Sequence, residues 1–220
     1  MNKRVLAREL AQEYLAKDDP LGWFEALYRR AGKDNALIPW ADLTPNPNLL
    51  SWAARQEKDV FQNKKILVVG CGLGDDANWL AEQGADVTAF DISSSAIAWC
   101  KKRFSRNDIT FLEADILNPP FAWKNYFDGV FESYTLQVLP DLLRCRAIDG
   151  MRFSLKRSGY LLLIARGRSE SESLGNMPWP LTKKEIIENT RGMEMVGEME
   201  DFMDEEAPPV RRFRVVLRQQ

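Results

Sequence analysis

Hydrophobic positions change their period several times along the chain, and the changes mark out alternating helices and strands. Val5, Leu6, Leu10, Tyr14 and Leu15 recur among charges between Lys3 and Lys17, the pattern of an amphipathic helix. Asp19 with Pro20 then caps a second helix holding Trp23, Phe24, Leu27 and Tyr28, with Trp23 and Phe24 read as core. After Gly32 the period is lost through NALIPWADLTPNPNLLSWAA, which Pro39, Pro45 and Pro47 interrupt. Ile66, Leu67, Val68 and Val69 form an unbroken branched run, as expected of a strand covered on both faces. Beyond it the pattern predicts a helix over 75–83 stopped by Gly84, a strand over 86–90, a helix over 94–104 and a strand over 109–112. A proline turn, Asn118 to Phe121, leads to a strand over 127–131, a helix over 140–156 and a strand over 160–165. A long polar loop, RGRSESESLGNMPWP, precedes a helix from Thr182, and strands over 194–202 and 210–218 end the chain.

Strands alternating with helices imply an α/β fold. The expectation is a single doubly wound, Rossmann-like seven-stranded sheet, mostly parallel, with a C-terminal antiparallel hairpin and helices on both faces. Residues 1–60 form a helical cap and 61–220 the core of one domain.

The chemistry concentrates where the first strand ends. Gly70, Cys71, Gly72, Leu73 and Gly74 follow Val69 at once. Glycines at alternate positions allow positive φ and leave no Cβ against a ligand, while Cys71 serves as a small residue of the same turn. The helix that follows offers free N–H groups to an anionic group. Asp91 closes the next strand 21 positions after Gly70 (91 less 70), close to the roughly 20-residue spacing of an acid that accepts hydrogen bonds from a ribose. Strand, glycine turn, helix, strand and acid together make a nucleoside site. Glu132, Ser133, Tyr134 and Thr135 follow the fourth strand, at the carboxyl edge where ligands of open α/β sheets sit. Trp40, in a loop after Pro39, and the long loop carrying Trp179 are the segments suited to cover such a site.

A dinucleotide site requires G-x-G-x-x-G directly after the strand, and counting from Gly70 the sixth position is Asp75. A carboxylate there would face the pyrophosphate. Gly72, Gly74 and Ala77 fit G-x-G-x-x-A, but that register separates the fingerprint from the strand.

Composition narrows the remaining choices. The chain has 220 residues, 45% hydrophobic and 28% charged, with a net charge of −2, which suits one globular domain and provides no basic field for a nucleic acid. Three cysteines without C-x-x-C spacing read as reduced thiols in a cytoplasmic setting. There is no long apolar run and no signal sequence to imply a membrane, and a monomer is the default. With no histidine in the chain, Ser-His-Asp and Cys-His mechanisms and the usual His-based metal sites are excluded.

The order of apolar strand, G-x-G-x-G and acidic pair resembles motif I of the class I S-adenosylmethionine-dependent methyltransferases. The N-terminal W-F-x-x-x-Y followed by P-W, the turn G-C-G-x-G-D, the strand end F-D-I-S and the late P-W-P-L-T-x-x-E-I resemble the thiopurine and halide/thiol branch of that family across nearly the whole chain. The resemblance implies S-adenosylmethionine as cofactor, bound by Trp40, Gly70, Cys71, Gly72, Gly74, Asp75, Asp91, Ile92, Asp115, Ile116 and Glu132. In it, Trp40, Gly70 and Glu132 meet the methionine, Asp91 the ribose and Asp115 the adenine amino group, with Ile92 and Ile116 sandwiching the ring. Many members carry an acid two positions before the first glycine. Val68 stands there in this chain, which leaves Asp75 or Asp76 to meet the ammonium. Glu132 and Tyr134 are the candidate catalytic groups, and Arg144 and Arg166 the candidate substrate arginines. The acceptor is then a small molecule, a thiol or another soft nucleophile. The competing classes are an NAD(P)-dependent oxidoreductase and a noncatalytic S-adenosylmethionine-binding protein.

Overall fold

The computed structural model describes residues 3–220. Its strands run in the order β3-β2-β1-β4-β5-β8-β6, with β7 also on β8: β1 is Lys65–Val69, β2 Asp86–Asp91, β3 Ile109–Glu113, β4 Phe127–Ser133, β5 Leu155–Arg166, β6 Met193–Met195, β7 Glu200–Met203 and β8 Arg211–Gln219. The helices are α1 (Lys3–Leu15), α2 (Gly22–Ala31), α3 (Pro47–Ala53), α4 (Asp75–Glu82), α5 (Ser94–Arg103), α6 (Asp141–Ser154) and α7 (Lys183–Asn189). The sheet is mostly parallel with an antiparallel C-terminal end, as the residue pattern predicts. It has eight strands rather than seven. The single strand expected over 194–202 is divided by Gly197, held at φ +75°. Its halves, β6 and β7, pair with successive stretches of the same edge of β8. Among the described residues no helix is long and apolar enough to cross a membrane.

Packing divides the chain into two compact units. One comprises Met1–Lys64 with Gly70–Asp115. Here β2 and β3 pair in parallel, and α4 and α5 bury Ala77, Leu80, Ala96, Ile97 and Cys100. Trp23, Leu27 and Tyr28 of α2 are buried, and Trp23 stacks on Phe24 with centroids 3.9 Å apart. Asp19 Oδ1 accepts from Gly22 N at 2.9 Å, satisfying one of the donors that a helix start leaves open. α3 lies within the stretch that shows no period. Asn46 caps it by accepting from Asn48 N, and Pro47 occupies its first turn, where the missing N–H costs nothing.

The other unit comprises Lys65–Val69 with Ile116–Gln220. β1 and β4 pair in parallel with Val69 opposite Glu132. β4 pairs with β5, and β5 with β8 in antiparallel register. Leu161 to Ala165 are all buried, as an unbroken apolar run requires. α6 meets the chain after β3 at Gly150, where a Cβ would stand 1.9 Å from Ile116 O. α7 starts with a capping box between Thr182 and Glu185.

Candidate active site

The glycine turn is held by the acid at the end of β2. Asp91 is buried; its Oδ2 accepts from Gly72 N at 3.0 Å and its Oδ1 from Ser93 N at 2.9 Å. Gly72 stands at φ +56°, and a Cβ there would lie 3.3 Å from Tyr28 Oη and 3.5 Å from Trp40 Cδ1. Gly74 caps α4 at φ +85°, with Cys100 Sγ 3.1 Å from where its Cβ would be. These two positions need glycine for conformation and for space together. Burial raises the Asp91 carboxyl to about 6, against the backbone N–H groups that pull it down. Cys100 Sγ donates to Gly72 O, and Cys71, half-buried in the turn, has its thiol held up by its neighbour Cys100 and by burial.

Trp40 lies over the same turn. Its Nε1 donates to Tyr28 Oη at 2.7 Å, and its ring meets Trp23, Phe24 and Tyr28 edge-on. The two acids that open α4 are both occupied. Asp75 is gripped by Arg103 through a two-pronged pair at 2.7 and 2.8 Å, and Asp76 accepts from Asn46 N at 2.6 Å. Ile92 is half-buried beside Asp91, and Asp115 is half-buried after β3.

In the other unit Glu132 is fully buried at the carboxyl end of β4. Its Oε1 accepts from Thr135 N at 2.8 Å and Leu136 N at 3.0 Å, while Oε2 has no hydrogen-bond partner among the described residues. Burial pushes this carboxyl up to about 7, against those two N–H groups. Thr135 Oγ1 donates to Val69 O at 3.4 Å, so the Glu132 turn is fastened to the residue that leads covalently into Gly70. Tyr134 sits at φ +65°, a conformation that a bulky residue holds only under constraint from its surroundings. Its N–H donates to Ile164 O, and the Arg212 guanidinium lies 4.5 Å from its ring centroid.

Residues 66–159 match a family described as methyltransferase domain, a span that runs from β1 through the glycine turn, Asp91 and Glu132 into β5. A thiopurine S-methyltransferase of Aliivibrio fischeri is 25% identical over 76% of this chain and 83% of its own length. A fatty-acid O-methyltransferase of Mycolicibacterium smegmatis is 29% identical over 69% of this chain, which spans only 58% of that relative. The chain carries an S-adenosylmethionine-dependent methyltransferase domain. Its fold is shared with the N-methyltransferase NodS from Bradyrhizobium japonicum WM9, solved with S-adenosyl-L-homocysteine, at a TM-score of 0.69 and 22% identity, covering 89% of this chain and 97% of that one.

In this methyltransferase Ile116 is buried, with its main chain against Gly150. Arg144 is also buried. Its Nε donates to Leu136 O and Leu139 O, and its Nη1 faces both Asp141 and Glu185, so its guanidinium braces the main chain of the turn that follows Glu132. Arg166 N donates to Gln137 Oε1 at 2.8 Å, and Trp179 N donates to Gln137 O at 2.7 Å, which ties both ends of the long loop to the same glutamine. Sequence reasoning missed Gln137, whose burial follows from contacts 29 and 42 residues further on, and it missed Glu25, discussed below.

Proposed function

We propose that this methyltransferase holds S-adenosylmethionine through Asp91 and Glu132 and methylates a small acceptor whose nucleophile is already ionised or soft, a thiol above all. The observation that carries the reading is the Glu132 carboxylate: wholly buried, one oxygen saturated by two backbone N–H groups, the other without a hydrogen-bond partner among the described residues. A buried acceptor left unmatched costs free energy, and a cation is the partner that restores it. The methionine ammonium supplies that cation, whereas Asp75, the alternative, is already paired with Arg103. Gly72 N takes one acceptor position on Asp91 Oδ2 and Ser93 N one on Oδ1, with the Ile92 N–H also turned to the carboxylate, and a carboxylate with about four acceptor positions keeps capacity for a ribose hydroxyl beyond them. Gly70, Gly72 and Gly74 give the tail a backbone without side chains, Cys71 adds only a small thiol, and Trp40 is the candidate to cover it. Asp115 is the candidate for the adenine amino group, with Ile92 and Ile116 the candidates for the faces of its ring.

When bound, the cofactor supplies an electrophilic methyl group on a sulfonium. What the protein then contributes is position and exclusion of water. A thiolate needs no general base, and the chain has no histidine to act as one. Glu132, enclosed and committed to two main-chain donors, holds charge in place instead of shuttling protons. The two relatives point the same way: one is named for a thiopurine sulfur and the other for a fatty acid, and both acceptors can be anionic before the methyl moves. A second reading has Glu132 as base, since its carboxyl stands near neutrality, with Tyr134 as the group that orients a phenol or amine. Methyl transfer to thiols, carboxylic acids, phenols and amines across pH 6 to 10 separates the two. On the first reading, thiol turnover rises with thiolate formation near the reference value of about 8.5 and Tyr134→Phe loses less than about tenfold. Turnover confined to phenols or amines, abolished in Tyr134→Phe, would overturn it.

A further inference from the structure

Glu25 belongs to the first turn of α2, where an acid on an amphipathic helix would ordinarily face solvent. Its carboxylate reaches across to the start of α5. Oε2 accepts from Ser93 Oγ at 2.7 Å and Ser95 N at 3.1 Å, and Oε1 accepts from Ser95 Oγ at 2.8 Å. Burial works to raise the Glu25 carboxyl, but these bonds and the charge of Arg29 outweigh it and the group is held below its ordinary range.

The contact continues into the nucleoside site. Ser93 is fully buried. Its Oγ accepts from Ala96 N at 3.0 Å as the cap of α5, so the hydroxyl proton must find another acceptor, and Glu25 provides it. The N–H of the same serine donates to Asp91 Oδ1, and the other Asp91 oxygen holds Gly72. Three residues after Glu25, on the same face of α2, Tyr28 accepts from Trp40 and its hydroxyl stands against Gly72. One helix face therefore touches two partners of the Asp91 carboxylate: Ser93 through Glu25, and Gly72 through Tyr28.

We propose that Glu25 is a positioning residue for cofactor binding, fixing Ser93 so that Asp91 presents its free acceptor positions to the ribose, and so making affinity depend on a carboxylate that does not touch the ligand. The proposal rests on the reading of Asp91 as the ribose acid. Glu25→Ala leaves a buried hydroxyl donor unmatched and releases α2 from α5. The expected effect on affinity is a loss of about tenfold, equivalent to about 1.4 kcal/mol. Glu25→Gln keeps one acceptor oxygen and recovers most of that loss.

The test is calorimetric titration of S-adenosylhomocysteine into the full-length wild type, Glu25→Ala, Glu25→Gln and Ser95→Ala, alongside thermal melting of each without ligand. Expected are a loss of about tenfold in Glu25→Ala, about threefold in Ser95→Ala, and substantial rescue in Glu25→Gln. In an Asp91→Asn background Glu25→Ala should change affinity less than about twofold, because both act through one carboxylate. A general loss of stability would instead add to the Asp91→Asn effect. Wild-type affinity retained in Glu25→Ala, or full additivity with Asp91→Asn, overturns the proposal while leaving the cofactor reading intact. A wild type that does not bind S-adenosylhomocysteine overturns both.

Discussion

Replacing Asp91 by alanine separates the two roles that the site gives it. In the ligand-free protein the carboxylate is buried and accepts from Gly72 N and Ser93 N, yet its carboxyl stands at about 6 where an ordinary aspartate stands at 3.8. The difference is about 2 in pKa, so holding Asp91 ionised at neutral pH costs about 3 kcal/mol relative to the unfolded chain. Alanine removes that cost and removes two backbone partners, effects of similar size and opposite sign. The ligand-free melting temperature should therefore move by no more than about 5 °C, since about 1 kcal/mol shifts it by 2–4 °C in a domain of this size. Binding has no such cancellation. Two ribose hydroxyls on an ionised carboxylate contribute about 1.5–3 kcal/mol each, so Asp91→Ala should weaken S-adenosylhomocysteine by about a hundredfold or more. Titration calorimetry at pH 7.5 measures the affinity and scanning calorimetry the melting temperature. A folded variant with wild-type affinity would refute the assignment. A variant that loses affinity only in proportion to lost stability would show that Asp91 supports the turn and nothing else.

Glu132→Gln keeps the oxygen that accepts from Thr135 N and Leu136 N and removes only the charge, so affinity for S-adenosylhomocysteine should fall by about 1.5–3 kcal/mol. Binding of methylthioadenosine, which lacks the amino-acid tail, should stay the same; parallel titrations of the two ligands decide, and equal losses would place Glu132 away from the ammonium. Amide exchange should slow over residues 22–40, and separately over residues 166–180, when S-adenosylhomocysteine binds; exchange unchanged in both segments would remove the covering role of Trp40 and Trp179. Arg144→Ala should lower stability by about 1–3 kcal/mol for each of the two carbonyls it leaves unmatched, since Asp141 is exposed and Glu185 keeps Arg168, while leaving acceptor preference unchanged in whatever folded fraction is assayed at low temperature. An altered preference would return Arg144 to the substrate pocket.

What the sequence made legible is what the backbone dictates locally. Gly70, Gly72 and Gly74 follow an apolar strand because the turn needs positive φ at all three, and the distance to Asp91 is set by one helix and one strand. The whole motif is written within 22 residues (70 through 91). The helix α3 was hidden by the prolines beside it, although Asn46 before Pro47 is a sound helix start. The eighth strand was hidden because Gly197 reads equally well as a tolerated strand glycine or as a break. Side-chain partnerships were the least legible, because they join positions far apart in the chain. Asp75 was open to an ammonium until Arg103, 28 residues on, closed it. Arg144 is a candidate substrate arginine by sequence, and its burial against the main-chain carbonyls of Leu136 and Leu139 shows only at the level of packing. Glu25 had no local sign at all, since the residues that occupy it lie 68 and 70 positions away.

The two buried acids also fix how ligand and pH act together. Both carboxyls stand above their ordinary values, Asp91 at about 6 and Glu132 at about 7, so the folded protein holds these protons longer than the unfolded chain does. Stability from the protonated forms is present below the unfolded values, near 4, and is lost as pH rises through 6 and then 7. At pH 8 the ligand-free protein carries two ionised, desolvated carboxylates. An ammonium opposite Glu132 and hydroxyls on Asp91 favour those ionised forms, so binding draws both pKa values down and releases protons between pH 6 and 7. Affinity must then rise as pH climbs from 5 to 8, and the melting temperature gained at a fixed concentration of S-adenosylhomocysteine must be larger at pH 8 than at pH 5.5. Melting curves with and without ligand at pH 5.5, 7 and 8, together with titrations at pH 6.5 in buffers of different ionisation enthalpy, measure both quantities. An equal gain at every pH with no buffer-dependent heat would mean that neither carboxylate changes its surroundings on binding, and the ligand would have to be held by other groups.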